Sequence, residues 1–129
     1  MSKAVYDTRF FVENYYSPQS GTVKKLREVW KKANEHFISA VVIHEVYQLT
    51  FRRDGRETAI LRATVLEQDY KVVDVDAEIA RLSAELRLKY KMSMADSIIA
   101  ATALSLKATC VSDDPHFRAA VKEIKTDWI

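Results

Sequence analysis

Residues 93–115 read SMADSIIAATALSLKATCVSDDP, a pattern in which one helical segment leads directly into one short strand. Ser93 begins a predicted helix that runs through Leu106, and residues 108–111 follow as a buried strand. Pro115 stands where the first residue of another helix would be. The helix is predicted to face inward through Ile98, Ile99, Thr102 and Leu106. A helix joined closely to a strand is the repeating unit of an α/β fold.

The rest of the chain repeats this alternation. Strands are predicted at residues 3–6, 36–40 and 71–74, with an edge strand at 123–129. Helices are predicted up to Tyr16, over Ser20 to Asn34, Val41 to Arg52 and Glu57 to Gln68, and along an amphipathic stripe of Ile79, Leu82, Leu86 and Tyr90. Strands and helices at these distances predict a three-layer α/β/α arrangement with a mainly parallel sheet of roughly five strands.

Composition excludes several classes of protein. A chain of 129 residues that is 48% hydrophobic and 29% charged predicts one domain over residues 1–129. Because Cys110 is the single cysteine, an intramolecular disulfide and a zinc site of several cysteines are impossible, and we expect a buried, reduced thiol. Residues 1–11 lack the apolar core of a signal peptide, and no run approaches the roughly 18 apolar residues of a membrane span. We therefore expect a cytoplasmic protein.

Three acids fall where a parallel sheet binds its ligands, beyond the carboxyl ends of the strands. Asp7 closes the first strand, Asp114 follows the strand at 108–111, and Asp96 begins the helix before it. Glu45 lies inside the apolar segment 40–46, where an ionised carboxylate needs a partner. If the sheet is parallel the four carboxylates can meet, and their repulsion would then demand a cation. Oxygen ligands favour magnesium or manganese over zinc.

Each acid also has an ordinary structural explanation. Asp7 and Asp114 could cap helices, the latter with Pro115 in the first turn. Ser93 and Asp96 fit a capping box. Glu45 could pair with an arginine or face solvent. The residues alone leave both explanations open.

Four stretches resemble a known family. They are VYDT at 5–8, SAVVIHEV at 39–46, MADSIIAATA at 94–103 and VSDDPHF at 111–117. They resemble, in order and spacing, the four acid-bearing motifs of PIN domains, the family of the VapC toxins. This resemblance implies that Asp7, Glu45, Asp96 and Asp114 are catalytic, and it makes Asp7, Asp96 and Asp114 the ligands of a magnesium or manganese ion.

The resemblance also implies supporting residues and partners. Thr8 and Ser112, together with Asp113, would hold the ligand carboxylates in place. Asp113 departs from the family pattern as a second acid beside Asp114, and the spacing from Ser112 favours Asp114 as the fourth catalytic residue. The implied activity is hydrolysis of RNA to products with 5′-phosphate and 3′-hydroxyl ends. A VapB-type antitoxin would bind the protein, which would form a homodimer.

Two groups of surface residues are candidate contacts. Arg52 and Arg53, with Arg56 around Gly55, are predicted to bind RNA, since their positive charge could attract phosphates. A second set could do the same or could simply solvate an amphipathic helix: Lys24, Lys25, Arg27, Lys31 and Lys32. Aromatic residues of the first two helices could form a docking surface or belong to the core: Phe10, Phe11, Tyr15, Tyr16 and Trp30.

Three other functions compete with this one. His44 and His116 each lie close to a predicted catalytic acid, so a metal-free general acid/base nuclease is conceivable. The pair Asp74 and Asp76 follows a strand, as in phosphotransferases of the haloacid-dehalogenase kind, although Asp76 also fits a helix cap. The third is a PIN-like scaffold that binds RNA or protein without cleaving it.

Overall fold

The computed structural model of the chain describes residues 2–120 and 123–129. The strands of the described residues are β1 (Lys3–Tyr6), β2 (Glu35–Ser39), β3 (Lys71–Val73), β4 (Thr109–Val111) and β5 (Thr126–Asp127). The helices are α1 (Thr8–Tyr16), α2 (Ser20–Lys31), α3 (Ala40–Asp54), α4 (Arg56–Asp69), α5 (Ala77–Tyr90), α6 (Met94–Leu106) and α7 (Pro115–Ala119). The predicted alternation of strands and helices is confirmed.

Two elements are shorter than their approximate predicted bounds, and α2 shows why. It stops at Lys31 rather than Asn34, because the backbone N–H groups of Asn34 and Glu35 both donate to the carbonyl of Ser2, at 2.9 Å. This pairing pulls the chain out of the helix and into the sheet beside β1. The last strand is also shorter than predicted, since β5 covers only Thr126–Asp127.

All five strands are parallel and lie in the order β3-β2-β1-β4-β5. This confirms the predicted α/β/α fold with a five-stranded parallel sheet. The chain moves outward from β1 to β2 and β3, then returns to the other side of β1 to form β4. The direction of winding therefore reverses between β1 and β4. In open α/β sheets such a reversal opens a crevice at the carboxyl ends of the two strands.

The core surrounds these two central strands. Val5 of β1 pairs with Cys110 of β4, and both are fully buried, as predicted for the cysteine. Helix α6 packs on β1, β2 and β4, and its buried positions include Ala100, Ala101 and Ala103. Such small side chains let the helix approach the sheet closely. The two strands that form the crevice are thus firmly held.

The aromatic residues of the first two helices divide between core and surface. Phe10 and Phe11 are buried, whereas Tyr15, Tyr16 and Trp30 are partly exposed. Phe10 packs against Tyr6, with ring centroids 4.7 Å apart. Two of the five predicted surface aromatics are therefore core residues. Among residues 2–120 and 123–129, no helix is long and apolar enough to cross a membrane.

Candidate metal centre

Asp7 follows β1 directly and is held by both central strands. Its backbone N–H donates to the carbonyl of Val111 at 3.2 Å, and the Ser112 hydroxyl donates to Asp7 Oδ2. Asp7 Oδ1 accepts from the backbone N–H of Phe10 at 3.1 Å, which caps α1. The residue is only 4% exposed. These contacts fix the orientation of the carboxylate.

Burial raises the pKa of Asp7 to about 7, because the charged form is deprived of water. The hydrogen bonds from Ser112 and Phe10 lower this pKa, and the neighbouring charges of Asp113 and Asp96 raise it. The hydrogen bonds therefore do not offset the desolvation. At neutral pH the Asp7 carboxylate is poised between its charged and neutral forms.

Asp96 and Asp114 lie at the starts of α6 and α7. Ser93 caps α6 by accepting from the Asp96 backbone N–H at 3.1 Å. Asp114 caps α7, and its Oδ1 accepts from the His116 backbone N–H at 2.8 Å. Burial, followed by the charge of Asp114, raises the pKa of Asp96. The two carboxylates are therefore close enough to repel each other.

His116 joins these two acids. One ligand atom from each of Asp96, Asp114 and His116 lies within 4.8 Å of the others, and His116 Nδ1 is 2.9 Å from Asp114 Oδ1. The sequence suggested His116 for a metal-free mechanism. Its position beside two carboxylates is also suitable for an additional metal ligand.

Glu45, a residue of α3, lies beside the other three acids. The Thr8 hydroxyl donates to Glu45 Oε1 at 2.5 Å, so the first residue of α1 fixes an acid of another helix. The acids border an open cleft of about 270 Å³. It is lined by Asp7, Thr8, Arg9, Val12, Glu45, Asp96 and Asp114. All four acids predicted from the sequence therefore line one cleft.

The cleft is suited to a hard divalent cation. Four carboxylates supply oxygen ligands, which magnesium and manganese prefer. Burial, and to a lesser extent the neighbouring carboxylates, raises the pKa of Asp7 and of Asp96, and a bound cation would favour their charged forms. Capping and convergence do not exclude each other, since Asp7 and Asp114 cap helices with one oxygen while lining the cleft.

The sequence did not single out Arg9, although it lines the cleft. Its Nε lies 3.0 Å from Asp113 Oδ2, and its Nη2 lies 3.4 Å from Glu13 Oε1. Asp113 thus pairs with an arginine, while its neighbour Asp114 lines the cleft. The sequence could have indicated Arg9 by its position, two residues after Asp7, the acid that follows β1.

The other predicted contacts lie elsewhere. Arg53 stacks over the Tyr16 ring, 3.9 Å from its centroid, and Arg52 lines a groove with Phe51 and His44. Neither arginine lines the acidic cleft. Arg52 lies seven positions after Glu45 in α3, which is about 10 Å along the helix axis. The cations of α2 and its C-cap residue are exposed: Lys24, Lys25, Arg27, Lys31 and Lys32.

The competing sites are not assembled in the same way. His44 does not line the cleft that contains Asp114, the partner of His116. Asp76 accepts from the Ile79 backbone N–H at 2.9 Å and caps α5. It follows β3, which is an edge strand. The pair Asp74 and Asp76 is therefore remote from the crevice between β1 and β4.

Comparisons with known proteins agree with this geometry. The family model described as PIN domain matches residues 4–123. No curated protein sequence matches the chain at a significant level. Among solved structures, the chain is similar to a chain of VapBC2 from Rickettsia felis bound to a promoter DNA fragment. The TM-score is 0.77 at 16% identity, with 98% of each chain covered.

Two other structures give similar values. The chain is 20% identical to VapC20 of Mycobacterium tuberculosis, described as a toxin that cleaves the sarcin-ricin loop, with a TM-score of 0.75 over 91% of this chain and 94% of the other. It is 19% identical to a chain of FitAcB from Neisseria gonorrhoeae, with a TM-score of 0.74 and 95% of each chain covered. At such identities the likeness shows a shared fold.

Proposed function

Since the chain belongs to the PIN-domain family, we propose that it is a metal-dependent endoribonuclease that hydrolyses RNA phosphodiester bonds. We further propose that it is the toxin of a VapBC-type pair. The observation that carries the nuclease proposal is the convergence of Asp7, Glu45, Asp96 and Asp114 on one cleft at the reversal between β1 and β4. Structural neighbours from toxin–antitoxin complexes support the toxin role.

Asp7, Asp96 and Asp114 would hold the ion. A bound Mg²⁺ or Mn²⁺ supplies an activated water and stabilises the charge that develops on the phosphate. Ser112 orients two of these ligands, because its hydroxyl donates to Asp7 and its oxygen accepts from the Asp114 backbone N–H at 3.1 Å. The preference for Asp114 over Asp113 follows from this arrangement, since Asp113 is engaged by Arg9.

Glu45 would accept a proton from the attacking water. Its carboxylate is fixed by Thr8 through a side chain that begins the neighbouring helix. Orientation matters because a general base must lie within hydrogen-bond reach of the proton that it takes. Thr8 and Ser112 would thus have the same role, each holding one acid by a hydroxyl.

Further parts of the proposal concern the surroundings of the enzyme. Arg52 and Arg53 would contact RNA outside the cleft, and a VapB-type antitoxin and a second copy of the chain would be its protein partners. Antitoxin complexes among the similar structures support the first of these partners. We place the protein in the cytoplasm as one domain over residues 1–129. Met1, Val121 and Lys122 of that range lie outside the described residues.

The direct test is cleavage of a pool of labelled single-stranded RNAs with Mn²⁺ or Mg²⁺. EDTA should abolish cutting, and Asp96→Asn should lower its rate more than about a thousand-fold, since metal stabilisation of the transition state contributes several kcal/mol. Asp76→Asn is the matched control, because it changes an aspartate that caps a helix away from the cleft. Undiminished cutting by Asp96→Asn would refute the ligand assignment. RNA binding without metal-dependent cutting would instead identify a scaffold.

A further inference from the structure

Among the residues that the structure describes, Arg9 is the one cation that lines the acidic cleft. We propose that Arg9 binds an RNA phosphate there, and that Asp113 and Glu13 position its guanidinium. This inference rests on the proposed nuclease function and extends it to a substrate contact. The guanidinium is suited to this task because its planar N–H groups can bind two phosphate oxygens at once.

The charge distribution of the cleft favours such a contact. Its lining combines four carboxylates with Arg9, so an approaching phosphodiester meets repulsion wherever a bound cation does not offset it. An arginine at the edge of the cleft supplies attraction without occupying the metal ligands. The Arg9 side chain is 57% exposed, which leaves it accessible to a ligand from solvent.

Asp113 and Glu13 hold Arg9 from two different elements. Asp113 lies in the segment between β4 and α7, and Glu13 lies one turn along α1 from Arg9. A long side chain held by two ion pairs loses less conformational freedom when it binds a ligand. The pairs therefore pre-orient the guanidinium beside the metal ligands.

The Asp113 carboxylate lacks part of its hydrogen bonding, and a purely structural role does not explain this lack. Its Oδ1 is buried and has no hydrogen-bond partner among residues 2–120 and 123–129. The other carboxylate oxygen of Asp113, Oδ2, lies 3.0 Å from Arg9 Nε. Buried polar atoms are nearly always hydrogen-bonded, so an exception calls for an explanation, and a catalytic or binding role is one of those known. Asp113 is thus explained as the residue that positions Arg9.

The experiment measures binding separately from cleavage. A fluorescein-labelled single-stranded RNA of mixed sequence is titrated with the cleavage-deficient Asp96→Asn protein over a range of KCl concentrations. Adding Arg9→Gln should weaken binding about 10- to 100-fold, the usual effect of losing a charged hydrogen bond. The slope of log affinity against log salt should fall by about 0.7, as expected for one phosphate contact. Arg9→Lys should restore the slope but not the full affinity, because lysine keeps the charge without the planar fork.

Arg81→Gln is the matched control, since Arg81 is an exposed arginine of α5 that does not line the cleft. In the protein with Asp96 intact, Arg9→Gln and Asp113→Asn should both raise KM for RNA cleavage. Affinity and salt slope that match those of Arg81→Gln would overturn the role of Arg9. If the unsubstituted protein neither cuts nor binds these RNAs, the proposed nuclease function fails first, and the role of Arg9 fails with it.

Discussion

The acidic cleft differs from a second charged cluster in how its charge is compensated. This second group, the Arg62 cluster, consists of Arg62, Asp54, Tyr16 and Thr50. In the Arg62 cluster Arg62 Nη1 lies 3.3 Å from Asp54 Oδ2 and 3.3 Å from Thr50 Oγ1. The Tyr16 hydroxyl donates to the same Asp54 oxygen. The cation, the anion and both hydroxyls are thus joined in one network that ties α1, α3 and α4 together.

The cleft concentrates charge of one sign. Among the described residues its lining holds four acids and one arginine, Arg9, which pairs with Asp113 and Glu13 rather than with those acids. Burial raises the pKa of the nearly inaccessible Asp7 to about 7. The Arg62 cluster therefore balances its charges within the fold, whereas burial of Asp7, which raises its pKa, makes the ionised form of that carboxylate oppose folding. This difference separates a structural charge cluster from a binding site, because only the latter retains an electrostatic cost that a ligand can remove.

The largest expected effect follows from neutralising Asp7. Its pKa of about 7 in the folded protein lies above the ordinary aspartate value of 3.8, so the stability linked to its protonation is lost as pH rises through that interval. In EDTA at about pH 8, Asp7→Asn should therefore increase the free energy of unfolding by up to about 4 kcal/mol. This gain in the free energy of unfolding should shrink as pH falls and vanish below the ordinary aspartate pKa of 3.8.

Urea unfolding at several pH values measures this gain. Asp76→Asn, which changes a helix cap outside the cleft, should show no comparable increase at high pH. A metal-free Asp7→Asn protein less stable than the unsubstituted chain at about pH 8 would contradict the prediction, because Asp7 would then stabilise the fold as its negative ion.

Metal binding should produce the next largest effect. Mn²⁺ at about a hundred times its dissociation constant should raise the free energy of unfolding by about 2.7 kcal/mol, and EDTA should reverse the change. The stabilisation should be greater at about pH 8 than at about pH 6, because a proton competes with the ion at Asp7. Calorimetric unfolding of Asp96→Asn provides the control. Equal stabilisation of that variant would place the ion outside the cleft.

The smallest expected effect concerns the Arg62 cluster. It is a loss of stability, opposite in sign to the two gains above. The Arg62 side chain is 22% exposed, and its removal leaves Asp54 without its cation. Arg62→Ala should lower the free energy of unfolding by about 2 kcal/mol, and Mn²⁺ should stabilise this variant as much as the unsubstituted protein. Arg81→Ala, on an exposed helix face, should change stability much less. A similar loss in both variants would show that the network contributes nothing specific.

Much of the fold could be predicted because the local signals agree. Apolar periodicity located the helices, and Ser93 and Asp76 cap α6 and α5 as predicted. Acids at strand ends predicted the site because parallel strands bring their carboxyl ends to one edge. These inferences need only neighbouring residues and the direction of the sheet.

The remaining features depend on contacts between distant parts of the chain. The pairing of Arg9 with Asp113 requires β1 and β4 to be neighbours, and strand order is not encoded in local periodicity. The same holds for the end of α2, which is set by the carbonyl of Ser2. Sequence patterns could place Asp113 near the acids but could not identify its partner.

The position of β1 at the centre of the sheet has a consequence for the order in which the molecule matures. Asp7 and Ser112 are in contact although 105 positions separate them in the chain. During synthesis the first strand therefore leaves the ribosome long before its second neighbour exists. Contacts between residues so distant in sequence form late in folding. An incomplete nascent chain that ends before β4 contains Asp7, Glu45 and Asp96, yet it lacks the strand that brings Asp114 to them. The complete cleft therefore forms only after β4 and Asp114 have been synthesised.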